Sequence, residues 1–365
     1  MTLVAWISEA LLYLCFSLIA GYSIMNLVPQ CYRPTINIPT RVIFISIAAI
    51  PILALMPVLR IVFFFSEDIG FWLTLKNVLF SFEEGKAYLK IMTSSFLLLW
   101  FIYKNSFENR RQSYIIIGLL TFVMALILSS ASHLASLYGW LGAIGHFAHF
   151  LSIIVWAGTL LVTGFFATNL NHWLVFLRWF TPLAVACLVM ISASGFLMMQ
   201  AIVPSYIDSW VLSYGQALLL KHLAIIPLLV FAFMNGVMFR FKQKRNPDWN
   251  PLYSLRMEGG AILLVFAITG FMGQQSPPHD VSLTVREAGV AQWFDYFVGE
   301  PVTEEIDLML SFNGLSFGLG ISSIILMGSL FYMSWKKRGW RWTQLLGLLF
   351  VSSAYLAIMS ATTFR

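Results

Sequence analysis

Three of the six histidines lie within seventeen residues of one apolar segment, SHLASLYGWLGAIGHFAHFLSIIVWAGTL (132–160). His146 and His149 are three residues apart, so on a helix they project from one face. Trp156 follows seven residues later on that face, and a short turn, ASLYGWLG, separates the pair from His133. Imidazole is the commonest metal ligand in proteins, and ionisable residues within membrane segments usually mark a function. The spacing therefore predicts a histidine site where two neighbouring apolar helices meet, with His133 at the end of the first.

Further imidazole and thioether donors lie at the same predicted depth. Met198 and Met199 close one later apolar segment, and Lys221 and His222 lie about two turns into the next one. Imidazoles combined with thioethers favour Cu(I) or another soft to borderline ion. The predicted metal ligands are His133, His146, His149, His222, Met198 and Met199.

Each of these residues also has an ordinary structural interpretation. His146 and His149 would suit hydrogen bonds to water or lipid headgroups, and His133 would suit a cap on the preceding helix. The methionine pair would suit simple packing, and the Lys221 side chain would suit a position reaching out to water. Because several such residues converge at one predicted depth in the membrane, the functional interpretation, a metal site, is favoured.

The elements that would position these residues are membrane-spanning helices. Apolar residues make up 59% of the 365 residues and charged residues 10%, against about 25% charged residues in a soluble domain. The mean hydropathy is +0.81. Because lone apolar runs of about 20 residues cross a bilayer only as helices, the sequence predicts an all-α, polytopic transmembrane helical bundle of about 10 spans. The predicted spans are 4–28, 41–64, 87–103, 113–131, 143–168, 176–202, 215–239, 257–274, 314–335 and 342–362. The first segment has neither a basic start nor a small-residue cleavage site, so we expect it to be retained as a span.

The positions of lysine and arginine predict the orientation of the spans. The loops after the odd-numbered spans hold 15 of the 22 basic residues. Because cytoplasmic loops carry the basic excess, these loops are predicted to be cytoplasmic and both the N- and C-termini outside. Five of the six histidines then lie at the outer level, and only His172 lies in a cytoplasmic loop. The net charge of +6 thus reflects topology, and we expect no nucleic-acid partner.

The remaining sequence limits the classes of function. The longest loop, 275–313, holds seven acidic residues and one arginine and is predicted to be an extracytoplasmic acidic loop. Neither a GxxxxGK[ST] phosphate loop nor a GxGxxG motif between a strand and a helix occurs, which argues against an ATP-driven pump. Cys15, Cys31 and Cys187 show no CxxC spacing, so no disulfide framework or thiolate zinc site is predicted. We identify no catalytic residues and do not expect an enzyme.

Four segments resemble the copper resistance D (CopD) family in order and spacing. SHLAS followed by HFAHFLSIIVWAGTL resembles the family's histidine helices, and RWFTPLAVACLVMISASGF (178–196) is similar to its Arg-Phe-Ser…Ser-Gly helix. YGQALLLKHLAIIPLLVFAFMN (214–235) resembles its Lys…Asn helix, and RMEGGAILLVFAITGFMGQQSPP (256–278) its Arg-x-Glu…Pro-Pro helix. The resemblance covers 113–278 well and 1–112 loosely.

The resemblance implies an inner-membrane protein that handles copper. By position, His133 and His149 match the family's histidines. The other polar positions of the core are Lys221, Asn235, Arg178, Glu258 and Trp156. Two departures occur: Ser132 replaces a glycine before the first histidine, and His146 replaces an acidic residue and so adds a ligand. We expect no CopC-like domain fused to this chain, so an extracytoplasmic copper chaperone would be separate or unnecessary. The other expected partners are copper and the lipid bilayer.

The same resemblance divides the chain into four predicted segments. Residues 1–112 hold N-terminal transmembrane helices 1–3, and residues 113–274 form the CopD-like transmembrane core of helices 4–8. Residues 275–313 form the extracytoplasmic acidic loop, and residues 314–365 hold helices 9–10. The resemblance assigns no role to these last two helices.

Two hypotheses of function follow. The first is a copper-binding protein of the plasma or inner membrane that takes copper at the outer face and conveys it toward the cytoplasm, in copper uptake and homeostasis. The second is a haem b-binding membrane redox protein, with His133 and His149, or His149 and His222, as an axial pair. One clustered site at one face leaves no second haem for electron transfer across the membrane. Metal analysis and a visible spectrum on the same sample would separate the two.

Overall fold

A computed structural model describes residues 2–105, 110–238, 241, 251–298, 306–336 and 340–365. Thirteen α-helices account for most of these residues, which confirms the predicted all-α fold. They are α1 Thr2–Leu27, α2 Thr40–Ile69, α3 Phe71–Ser81, α4 Glu83–Asn105, α5 Arg110–Ser130, α6 His133–Phe166, α7 Trp173–Ile202, α8 Ser213–Phe233, α9 Leu252–Met272, α10 Val281–Ala288, α11 Gln292–Val298, α12 Gly314–Lys336 and α13 Trp340–Met359. Two short strands, β1 Leu308–Leu310 and β2 Thr362–Phe364, pair antiparallel, with Leu308 opposite Phe364.

Within the described ranges, nine helices are long and apolar enough to cross a membrane: α1, α2, α5, α6, α7, α8, α9, α12 and α13. They account for nine of the predicted spans. The predicted span 87–103 does form a helix, α4, but it is not among the nine. Lys90 and the polar run Thr93–Ser95 interrupt its apolar sequence. A tenth span at α4 therefore stays a prediction.

The chain divides into two compact units, Met1–Met198 and Met199–Arg365. The boundary lies within α7, and it also falls within the predicted segment 113–274. Each unit has its own apolar core. In the first unit, Phe16, Ile47, Met124 and Phe150 are among the fully buried side chains where α1 packs with its neighbours.

In the first unit, α1 and α6 approach each other unusually closely at two glycines. A Cβ atom added at Gly158 would lie 2.1 Å from the carbonyl oxygen of Ser17, and one added at Gly21 would lie 2.1 Å from the carbonyl oxygen of Gly158. Small residues allow transmembrane helices to pack backbone to backbone. The two glycines therefore fix α6, which carries the histidines, against α1.

The start of α6 differs from the sequence prediction. His133 was expected to end the helix before the turn, yet α5 ends at Ser130 and His133 is the first residue of α6. The Ser132 hydroxyl accepts a hydrogen bond from the Ala135 amide at 3.3 Å and so caps a new helix at once. The expected turn ASLYGWLG is mostly helical and contains a kink at Tyr138 and Gly139, where Gly139 adopts a φ of 57°. Glycine is the residue that takes this left-handed conformation at low cost.

In the second unit, the described part of the predicted loop 275–313 forms α10, α11 and β1. The Asp280 side chain caps α10 by accepting from the Leu283 amide at 2.9 Å. Phe294 of α11 packs in a core with Trp210 and with Phe350 of α13. This segment is therefore folded onto the helices of the second unit, while its residues 299–305 lie outside the described residues.

Candidate metal site

His149 is held by two hydrogen-bond partners on α7. Its Nδ1 lies 3.1 Å from the carbonyl oxygen of Ile191 and 3.1 Å from the hydroxyl of Ser194. The Ser194 hydroxyl donates to the carbonyl oxygen of Met190 at 2.5 Å. A carbonyl oxygen only accepts, so Nδ1 of His149 carries the proton in this arrangement and the lone pair of the neutral ring lies on Nε2. This is the state in which an imidazole binds a metal through Nε2.

His146 is held by a different neighbouring helix, α5. Its Nδ1 lies 3.0 Å from the hydroxyl of Ser129 near the end of α5, and its ring stacks on Phe150 with centroids 6.4 Å apart. Three residues rotate about 300° around a helix, so the two rings are offset by about 60° rather than aligned. The pair predicted for one face therefore contacts two different neighbouring helices, α5 and α7. Both rings are half-buried.

The surroundings of His133 differ from those of His146 and His149. Its side chain is exposed, and the kink at Tyr138 and Gly139 separates it from the long part of α6. Over the part of the chain that the structure describes, no three His, Cys, Asp or Glu side chains form a group that could hold a metal ion. His133, His146 and His149 thus do not form a closed three-ligand centre here, and their role as ligands stays a prediction.

The boundary between the two units separates Met198 from the other predicted donors, Met199 and His222. Met198 is half-buried at the end of the first unit, and Met199 is half-buried at the start of the second. In the second unit, the Tyr206 hydroxyl lies 2.8 Å from Nδ1 of His222, beside the half-buried Lys221. Burial raises the pKa of Tyr206, so its hydroxyl is protonated at neutral pH and able to donate this hydrogen bond.

The other polar positions of the predicted core have varied surroundings. Trp156 is buried in α6, and Arg178 is exposed near the start of α7. Asn235 and Glu258 are both buried and hydrogen-bonded to each other at 2.6 Å.

The residues that orient the histidines were not identified from the sequence. Ser129 pairs with His146 across seventeen positions, and Tyr206 pairs with His222 across sixteen. Neither spacing corresponds to neighbours on one helix. No local signal in the sequence would have found them, because both contacts join separate segments.

The nine apolar helices and the polar groups among them define a multi-pass membrane protein. The family model Copper resistance protein D (CopD) matches residues 174–272, from the second residue of α7 to the last residue of α9. This match covers part of the chain and agrees with the resemblance that the sequence predicted. No curated protein and no solved structure matched the chain. The matched segment excludes the three histidines of α6 and contains Arg178, Met198, Met199, Lys221, His222, Asn235 and Glu258.

Proposed function

We propose that the protein accepts copper at its outer face through the histidines of α6 and conveys it toward the cytoplasm. The observation that carries this proposal is the hydrogen bonding of His149. Its Nδ1 is tied to the Ile191 carbonyl and the Ser194 hydroxyl, which leaves the lone pair on Nε2. Metal-binding histidines commonly have their second nitrogen fixed in this way by a carbonyl or a carboxylate.

The types of donor on α6 and α7 favour a soft cation as cargo. His146 lies less than one helical turn from His149, and Met198 adds a thioether within the same unit. Imidazole and thioether donors favour Cu(I), and they are neutral, so they bring no anionic charge that would trap the ion in an apolar setting. His133 is exposed at the start of α6 and is suited to first contact with copper from the outer solution or from a separate chaperone.

Copper binding is tested by chelator competition on the purified full chain. We expect the single variants His133→Ala, His146→Ala and His149→Ala to lower the affinity for Cu(I), and the triple variant to lose the tight site. His172→Asn is the matched control, since His172 is exposed and has a φ of 60°, which asparagine tolerates. If the triple variant binds Cu(I) as tightly as the wild type, the proposal is refuted.

A visible spectrum of the same purified sample distinguishes the copper site from the haem alternative. A visible spectrum without a Soret band, together with bound copper, supports the copper site. A Soret band that is lost in His149→Ala would instead support a b-type haem held by that histidine.

The inward direction requires the predicted orientation and is tested separately. Cys31 is exposed in the segment between α1 and α2, whereas Cys15 is half-buried and Cys187 is buried. If the loops after the odd-numbered spans are cytoplasmic, a membrane-impermeant thiol reagent should label Cys31 only after the membrane is opened. The variant Cys31→Ser is the unlabelled control.

Copper accumulation tests the direction of transport. Cells that express the wild-type chain should accumulate copper, and cells that express the triple histidine variant should not. Labelling of Cys31 in intact cells, or a fall in cellular copper, would contradict inward transport.

A further inference from the structure

A carboxyl group lies buried in the second unit. Glu258 of α9 is 2% exposed, and its Oε2 accepts a hydrogen bond at 2.6 Å from Nδ2 of Asn235, which is 7% exposed. Among the described residues, this is the one hydrogen bond of the Glu258 side chain, and the side chain forms no ion pair there. An ionised carboxylate is costly to bury without a countercharge, whereas a protonated one is not. Ionisable residues within membrane helices usually mark functional sites.

The backbone at Asn235 is also irregular. Asn235 lies in a π-helical turn, Met234–Met238, that directly follows α8. Single π-helical turns within helices are frequent at functional sites. In this turn the amide oxygen Oδ1 of Asn235 is buried and has no hydrogen-bond partner among the described residues.

Two buried hydroxyls on the neighbouring helices share this property. Ser254 lies four residues before Glu258 on the same face of α9, and its Oγ is unpaired within the described part of the chain, as is the Oγ of Ser334 on α12. Ser334 follows Leu330 by one turn, and Leu330 packs against Phe231 at the end of α8. A hydrogen-bond acceptor that is buried without a donor destabilises the folded state. A carboxylic acid O–H is the donor that the Asn235 amide oxygen lacks.

We propose that Glu258 and Asn235 form an intramembrane proton-binding site that is loaded from solution and unloaded during the working cycle. In the loaded state the Asn235 amide donates to Oε2, and the acid O–H on Oε1 donates to the amide oxygen, so the two side chains satisfy each other. On unloading, the proton leaves for solution and the carboxylate keeps the amide donor. The donors are hard oxygens, unlike the imidazoles and thioethers proposed for copper.

The charged groups on the packed helices leave this pair without a cation partner among the described residues. The elements packed against α9 include α8, α13 and α12, whose Leu330 shares a buried cluster with Met257 of α9. On α8, Lys221 and His222 precede Asn235 by fourteen and thirteen residues, about 20 Å along the helix. The remaining titratable groups are Tyr214 on α8, Arg341 and Tyr355 on α13, Tyr332 and Lys336 on α12, and Arg256 and Tyr253 on α9 itself, and both Arg256 and Arg341 are exposed.

Infrared difference spectroscopy tests the proton site on the copper-free full chain in lipid nanodiscs. We expect a carboxylic-acid C=O band that disappears as the pH rises, that is absent in Glu258→Gln, and that changes frequency in Asn235→Ala because the C=O loses its amide donor. Glu287→Gln, which removes an exposed carboxyl on α10, should leave the band unchanged. A band that never titrates, or spectra of the wild type and Glu258→Gln that coincide at every pH, would overturn the proposal.

A second measurement separates this site from the proposed copper function. In liposomes with an imposed pH gradient, Glu258→Gln should bind Cu(I) as tightly as the wild type, yet its copper uptake should no longer respond to the gradient. Uptake by Glu258→Gln that still follows the gradient would refute a coupling role. If copper binding itself fails in the wild type, the infrared titration still tests the proton site by itself.

Discussion

Replacing Gly158 by alanine tests whether the contact between α1 and α6 positions the histidine helix. A Cβ atom at Gly158 would lie 2.1 Å from the carbonyl oxygen of Ser17 and 2.9 Å from the amide nitrogen of Gly21. Ordinary contact begins at 3.4 Å, so the helices would have to separate by about 1.3 Å in a region packed at nearly crystalline density. Both clashing groups are backbone atoms, so no side-chain rotation relieves them.

The expected loss of stability follows from this geometry. Overpacking typically costs about 1–3 kcal/mol, and each kcal/mol shifts the melting temperature by about 2–4 °C in a chain of a few hundred residues. Because the added Cβ atom would meet backbone atoms of both Ser17 and Gly21 on α1, we expect a cost in the upper part of this range, which corresponds to a drop in melting temperature of about 5 °C or more. Glycine to alanine also gains about 1 kcal/mol of helix propensity, which reduces the net effect and has to be measured separately.

A matched variant isolates the propensity contribution. Gly328 lies inside α12, and a Cβ atom there would meet nothing within 4 Å. Gly328→Ala makes the same chemical change without a clash, so it should leave the melting temperature unchanged or raise it. Thermal unfolding in detergent is the assay, with Cu(I) affinity as a second measurement, since α6 carries His146 and His149. A melting temperature for Gly158→Ala equal to that of Gly328→Ala would refute the packing argument.

Three further outcomes are expected. Ser194→Ala removes one partner of His149 and should weaken Cu(I) affinity about tenfold, with the exposed Ser192→Ala as its control; equal affinities would count against the orienting role. Ser132→Ala removes the cap of α6 and should cost about 1 kcal/mol locally, seen as faster amide exchange in the first turn and restored by aspartate at that position. Burial raises the pKa of Tyr206 above its ordinary value of 10.0; a group with a raised folded pKa contributes stability that is complete below its unfolded pKa and lost as the pH rises through the folded pKa. Thermal unfolding should therefore show a smaller alkaline loss of stability in Tyr206→Phe than in the wild type, and identical pH profiles would contradict this.

Most of the fold followed from one property of the sequence, the length of its apolar runs. A bilayer offers no partner for backbone polar groups, so such a run has to be a helix whatever its neighbours are. Within the described part of the chain, nine helices arise in this way. At α4 apolar length alone does not decide whether the helix spans the membrane, because Lys90 and the hydroxyl residues Thr93–Ser95 lower the hydropathy of the run. The break between α5 and α6 was misplaced for a local reason: the expected turn contains only one residue with a positive φ, Gly139, and a serine cap starts the helix earlier.

Composition and spacing alone showed which residue types are available for chemistry and which family they resemble, and they predicted the depth at which those residues lie. The tertiary structure decided which side chains meet. It assigned Ser129 to His146 and Ser194 to His149, and it joined Asn235 to Glu258 across two helices. The physical reason is the range of the forces involved. Hydrophobic burial and backbone hydrogen bonding act along each segment, so they can be read from composition and spacing. A hydrogen bond between helices depends on a rotation and an offset that close contacts such as Gly21 with Gly158 set, and those contacts exist only after the helices have packed.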